Sequence, residues 1–178
     1  MHIRNLLSVM ESLGSKFGMN TVFTSPNPDT SSDLILSAVQ RFCQDRDLGH
    51  LIMSAGSRGY ISLMNEAELM IGNSSSGIAE APSFALPVVN IGTRQAGRTR
   101  AANVIDCGYE VSEIMDAVSR ARSPEFKNGL AGMVSPFGDG RAAERIVERI
   151  LSIGNPKDLL RKRFRSFTES GLDMKGTG

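Results

Sequence analysis

Along the first 17 residues, Ile3, Leu6, Leu7, Met10, Leu13 and Phe17 recur at helical spacing, and Gly18 follows as a stop. The pattern then changes period. TVFTS carries β-favouring Val22 and Phe23 ahead of Pro26 and predicts a short buried strand. After the polar loop PNPDTSS, Ser31 or Ser32 caps a helix that turns Ile35, Ala38, Val39, Phe42 and Cys43 inward. Strand HLIMS, a turn at 55–59 and a helix near YISLMNEA repeat the unit. Strand ELMIG leads into a serine-rich loop, and a new helix is expected after Gly77. Strands PVVNI and VIDC complete the series, separated by an Arg/Gly loop.

Two further helices are predicted: VSEIMDAVSRARS, and RAAERIVERILSI with Ile146, Val147, Ile150 and Leu151 facing inward. Strands that alternate with helices define an α/β chain, a Rossmann-like doubly wound parallel sheet. Residues 1–155 are expected to form that domain. Residues 156–178 are expected to be a basic terminal helix (KDLLRKRFRSF) with a frayed end. In such sheets ligands lie beyond the carboxyl ends of the strands, so the loops 25–31, 54–59, 72–77 and 92–100 carry the functional information.

Composition narrows the field. The 178 residues, 40% of them apolar, suit one ordinary domain with a core. A net charge of +1 gives no reason to expect nucleic acid or an anionic membrane as partner. No apolar run approaches the ~20 residues that span a bilayer, and MHIRNLLSVMESL reads as neither a signal nor a transit peptide, so a cytoplasmic location is expected. Cys43 and Cys107 lack a metal-type spacing, and no metal or other cofactor is expected.

The loop with chemistry is Gly72–Gly77, GNSSSG, placed between a strand and a helix. Free amides, a helix start, three hydroxyls (Ser74, Ser75, Ser76) and two glycines suit an anion. Spacing alone leaves a serine-rich cap that binds nothing equally open. A P-loop is excluded, because Ile78 and Ala79 stand where Lys and Ser/Thr are needed. A nucleophile elbow fails on its glycine spacing, and with only His2 and His50 a catalytic triad is poorly supplied. Glu80 can accept two ribose hydroxyls or merely serve as a cap. Arg94, Arg98 and Arg100 lie on the next loop, where guanidinium groups either neutralise a diphosphate or stay solvated.

The segment YISLMNEAELMIGNSSSGIAEAPSFALPVVNIGTRQAGR, with SPNPD before the second helix and SPFGDGRAAERIV before the last long one, closely resembles the C-terminal half of hydrolysing UDP-N-acetylglucosamine 2-epimerases. The likeness spans about residues 3–153. The non-hydrolysing sister family has DSGG-QEE where this chain has NSSSGIAE. The resemblance implies a glycosyltransferase-B architecture of two Rossmann-like domains, UDP as ligand, and a role in sialic or legionaminic acid synthesis. It implies that Ser74 and Ser75 hold the diphosphate, that Ser76 and Gly77 belong to the same UDP site, and that Arg94, Asn27 and, more weakly, Arg98 line the nucleotide side. Glu80 would then bind the ribose, and the Ser54–Gly56 turn would lie against uracil.

The implied reaction eliminates UDP to give 2-acetamidoglucal and then adds water. Its acid and base groups are expected on an N-terminal domain, which this chain does not include. The histidine-proline segment usual before the first helix is also missing. Asp106 and Asp139 are isolated candidates only. The expectation is thus half an active site that is inactive alone, requires a second Rossmann-like domain, and could form a homo-oligomer through an exposed docking face. A non-catalytic nucleotide-sugar module and half of a glycosyltransferase are the other readings.

Overall fold

The computed structural model describes residues 2–26, 32–45 and 49–160. They fall into two compact units, Met1–Phe137 and Gly138–Gly178. Asn27 and most of the basic tail lie outside the described residues.

The first unit opens with α1 (His2–Phe17), which buries Val9, Met10, Leu13 and Gly14. Gly18, at φ 65°, ends it, and its N–H donates to the Gly14 carbonyl at 2.9 Å. Then come β1 (Thr21–Thr24), α2 (Ser32–Asp45) and β2 (Gly49–Ile52), with β1 and β2 parallel. The chain continues through α3 (Gly56–Glu66), β3 (Met70–Gly72), the single turn α4 (Ser76–Ala79) and a 3₁₀ turn (Ala81–Phe84). It closes with β4 (Val88–Ile91), β5 (Val104–Cys107), α5 (Val111–Arg122) and the short α6 (Pro124–Gly129). Strands β3, β4 and β5 form a second parallel sheet in that order.

The strand β4 shows why the fold is doubly wound. All four of its residues are buried, and alternate side chains leave on opposite faces. Val89 and Ile91 join Val9, Leu13, Phe42, Ile114 and Val118 in a core fed by α1, α2 and α5. Val88 packs on the other face with Met64, Ala81 and Leu86. Helical cover on both faces of a parallel sheet is the α/β class expected from the sequence.

Four local expectations need correction. The strands do not form one sheet: β1–β2 and β3–β4–β5 are separate, so β1 and β3 each keep an open edge. The turn expected at 55–59 is mostly helix, because α3 starts at Gly56. The helix after Gly77 is one turn, broken by Pro82, so Glu80 stands where that turn meets the 3₁₀ segment rather than inside a long helix. In the second unit, α7 (Ala142–Leu151) buries nothing, and Ile146, Val147, Ile150 and Leu151 are all more than half exposed. Among the described residues, its own unit provides no second layer on which to bury that apolar stripe. The tail described after it is a 3₁₀ turn at Pro156–Leu160.

Candidate functional site

The carboxyl ends of β3 and β4 lie side by side, since Gly72 is in register with Asn90. That register brings the serine loop next to the arginine loop, 21 residues further along the chain. Gln95, 1% exposed, points back from the second loop, and its Nε2 donates to the Asn73 carbonyl at 2.7 Å. Arg94 Nη1 reaches the same carbonyl at 3.4 Å. The predicted diphosphate residues Ser74, Ser75 and Arg94 therefore share one exposed edge of the molecule.

Within the serine loop, Ser74 Oγ accepts from the Ser76 amide at 3.3 Å, and the Gly77 amide donates to the Ser74 carbonyl at 3.3 Å. The Ser74 and Ser75 amides have no partner among the described residues. Two open donors and three hydroxyls remain to receive oxygens. Because α4 has only four residues, its dipole adds little, so local N–H and O–H groups must supply the attraction. Gly77 is buried and faces inward: a Cβ there would sit 2.8 Å from Val88 Cγ1. Its lack of a side chain lets the serine turn lie flat on β4.

Behind the arginine loop, Arg100 pairs with Asp106, and its Nη2 donates to the Gln95 carbonyl at 2.7 Å. Asn90 Nδ2 donates to Asp106 Oδ1 at 2.6 Å. Arg100 is thus a brace, whereas Arg94 and Arg98 are exposed. Gly92, at φ 74°, passes so close to the Tyr109 ring that any Cβ would overlap it. Asp106 and Asp139 are not the isolated carboxylates that the sequence suggested. Asp139 is paired with Arg145 and accepts from the Arg141 amide, and the Arg145 hydrogen bond foremost holds its carboxyl below the usual range.

Glu80 is exposed and helps to line a hollow of about 350 Å³ with Ser57, Tyr60, Ile61 and Ser83. The first turns of α3, which follow Ser54 and Gly56, form its other wall. Gly56 N–H approaches Ser54 Oγ at 3.4 Å, and both residues are exposed. The larger cavity, about 680 Å³, contains none of the predicted site residues and lies between β1 and β3. Of the two hollows, only the second is lined by a predicted site residue, Glu80. Asn73, Gln95, Ser57 and Tyr60 were missed from sequence; the first two stand inside the conspicuous GNSSSG and TRQAGR motifs, but nothing local signals their contact. No three His, Cys, Asp or Glu side chains converge as a metal would require, among the described residues.

Parallel α/β sheets with a serine turn and an arginine loop at adjacent strand ends define a Rossmann-like domain with two polar loops side by side. Residues 1–151 match the UDP-N-acetylglucosamine 2-epimerase family, and the chain belongs to that family. It is 37% identical over 163 residues to the GDP/UDP-N,N'-diacetylbacillosamine 2-epimerase (hydrolyzing) of Campylobacter jejuni, covering 91% of this chain and 41% of that protein. The UDP-N,N'-diacetylbacillosamine 2-epimerase (hydrolyzing) of Legionella pneumophila is 32% identical over 145 residues, covering 81% of this chain and 37% of that protein. Among solved structures, the Neisseria meningitidis UDP-GlcNAc 2-epimerase bound to UDP-GlcNAc superposes with a TM-score of 0.67 at 22% identity, over 84% of this chain and 41% of that one. The chain therefore spans about two fifths of the length of these relatives.

Proposed function

We propose that this chain is the UDP-binding half of a hydrolysing UDP-N-acetylglucosamine 2-epimerase, acting on UDP-GlcNAc or a related UDP-diacetamido sugar. The observation that carries the reading is the shared hold of Gln95 and Arg94 on the Asn73 carbonyl, which draws the serine and arginine loops together. In this reading Ser74, Ser75 and Ser76 donate to the diphosphate and Arg94, with Arg98 further out, neutralises it. Gly77 sets the turn against β4. Glu80 takes the ribose hydroxyls, the Ser54–Gly56 segment flanks uracil, and Asn27 completes the nucleotide side.

When the glycosidic C–O bond breaks, the electron pair goes to the β-phosphate oxygen of departing UDP. Donors already held in place stabilise that charge without reorganising, and loss of one such donor costs on the order of 10²–10³ in rate. The groups that move the C2 proton and add water are proposed to come from a second Rossmann-like domain. A cytoplasmic location, a part in sialic or legionaminic acid synthesis, and homo-oligomerisation belong to the same proposal.

The test is calorimetric titration of the 178-residue chain with UDP. Wild type should bind, and Ser74→Ala and Glu80→Ala should each weaken binding about tenfold, the loss of one charge-assisted contact. Unchanged affinity in both variants would remove the pocket assignment. Release of an N-acetylmannosamine-type sugar from UDP-GlcNAc by this chain alone would overturn the claim that catalysis needs another domain.

A further inference from the structure

The arginine loop carries three guanidinium groups, and the structure divides them. Arg94 and Arg98 are exposed, whereas the Arg100 side chain is only 23% exposed and is engaged by the protein itself. Strand register explains where Arg100 lands. Gly72, Asn90 and Asp106 stand in one row across the carboxyl ends of β3, β4 and β5. Asn90, 1% exposed, fixes the Asp106 carboxylate from the middle strand by donating to Oδ1, and Oδ2 pairs with Arg100 Nη1. A guanidinium gripped at one end offers its remaining N–H groups in a fixed fork. Here the other prong, Nη2, donates to the Gln95 carbonyl, which the Arg98 amide also reaches at 3.4 Å.

Gln95 joins the two loops. Its carbonyl is held by Arg100, and its buried side chain holds the Asn73 carbonyl. Its own Oε1 is buried with no hydrogen-bond partner among the described residues, which costs free energy, so its side-chain bonding alone does not account for its position. The grip on its backbone offsets that cost. A turn of the Gln95 backbone would carry the adjacent Arg94 with it and release Asn73, the residue before Ser74.

We propose that Arg100, oriented by Asp106, is a positioning residue that sets the spacing between Arg94 and the serine hydroxyls without touching the ligand. The proposal rests on the UDP reading of this site and adds the device that fits it to a diphosphate. The competing role for Arg100, a third guanidinium on the ligand, predicts an effect of opposite sign. Asp106→Asn deletes a negative charge beside the loop and frees Arg100, so on charge alone it would strengthen binding of an anion. As part of a brace it does the reverse. Asparagine presents an NH2 group in place of one oxygen, so either Asn90 or Arg100 meets a donor instead of an acceptor.

The test is NMR titration of the 178-residue chain with UDP and with uridine, for wild type and Asp106→Asn. UDP affinity should fall about threefold to fivefold, the scale of a partly exposed ion pair. Affinity for uridine, which has no diphosphate, should change by less than about twofold. Without ligand, the Gln95 side-chain amide protons of the variant should exchange with water about threefold or more faster. Arg100→Lys keeps the charge but loses the fork, and should give the same pattern, so the proposal stays testable if one variant fails to fold. Tighter UDP binding by Asp106→Asn would make Arg100 a ligand contact and overturn the proposal. Equal losses for UDP and uridine, or unchanged Gln95 exchange, would overturn it too. Wild type that binds UDP beside variants of equal affinity would remove the positioning role alone, whereas wild type that binds no UDP would remove the UDP reading and this role with it.

Discussion

Replacing Gly77 by alanine isolates the contact that seats the serine turn. The added methyl would lie 2.8 Å from Val88 Cγ1, well inside normal contact. Val88 cannot easily yield: it is 3% exposed, it is β-branched, and its amide is fixed to the Asn103 carbonyl at 2.8 Å. Overpacking of this kind costs about 1–3 kcal/mol. Alanine returns at most about 1 kcal/mol of helix propensity, and less in a single turn. The net loss should be about 1–2 kcal/mol. Tyrosine fluorescence reads the correct unit, since Tyr60 and Tyr109 are the only tyrosines and the chain has no tryptophan. With a urea slope of about 1–3 kcal/mol per molar, the midpoint should fall by roughly 0.3–2 M. Adding Val88→Ala makes room for the methyl, so the two changes should couple favourably by about 1 kcal/mol. An unshifted midpoint for Gly77→Ala, or strict additivity in the double variant, would refute the packing argument.

Three further outcomes are expected. Gln95→Met removes the hydrogen bond to Asn73 but also a buried Oε1 without a protein partner among the described residues, so stability should change by less than about 1 kcal/mol while UDP affinity drops about fivefold, read by fluorescence and calorimetry together. The Cys107 thiol is pushed up to about 11, chiefly by burial and then by the Glu113 and Asp106 carboxylates, so iodoacetamide at pH 8 should alkylate it on the order of a hundredfold more slowly than a free thiol, followed by mass spectrometry. The stability that this raised thiol contributes is full below about pH 8.5 and is lost as pH rises towards its folded value. The Arg122 hydrogen bond, then that of Lys127, holds the Glu68 carboxyl below its ordinary value; its stabilisation is present above about pH 4.3 and is lost as pH falls through the folded value. Glu68→Gln should cost only about 0.5–1 kcal/mol at pH 7, because the pair is partly exposed, and should flatten the acid limb of a stability–pH curve.

Local patterning located the strands well, because runs such as VVNI and VIDC combine β-branched residues with flanking glycine, proline or asparagine. It failed where the answer depended on a distant partner. The stripe of α7 has helical periodicity whether or not anything covers it, so periodicity predicted burial that the described residues of its unit do not provide. The separation of β1 from β3 has no local signature either, since each strand reads the same with or without a neighbour. The serine loop was conspicuous through composition, yet its relation to Arg94 arises from the β3–β4 register. Gln95 carried no signal: a glutamine beside an arginine on a glycine-rich loop reads as solvated, and only its orientation makes it a tie.

Asp106 illustrates how those ties make a binding edge. As a lone carboxylate in the sequence it invited a catalytic role. In the structure one oxygen accepts from Asn90 and the other pairs with Arg100. Arg100 in turn holds the Gln95 carbonyl, and Gln95 holds the Asn73 carbonyl. A single chain of hydrogen bonds therefore runs from the end of β5 through the arginine loop to the residue before Ser74. A carboxylate so committed has little freedom to move a proton. What it can do is fix the spacing between Arg94 and the serine hydroxyls before any ligand arrives. Electrostatic stabilisation of a leaving diphosphate demands such preorganisation, because donors that must first reorient lose much of their effect. The half-site proposed for this chain thus depends on a carboxylate already engaged by Asn90 and Arg100.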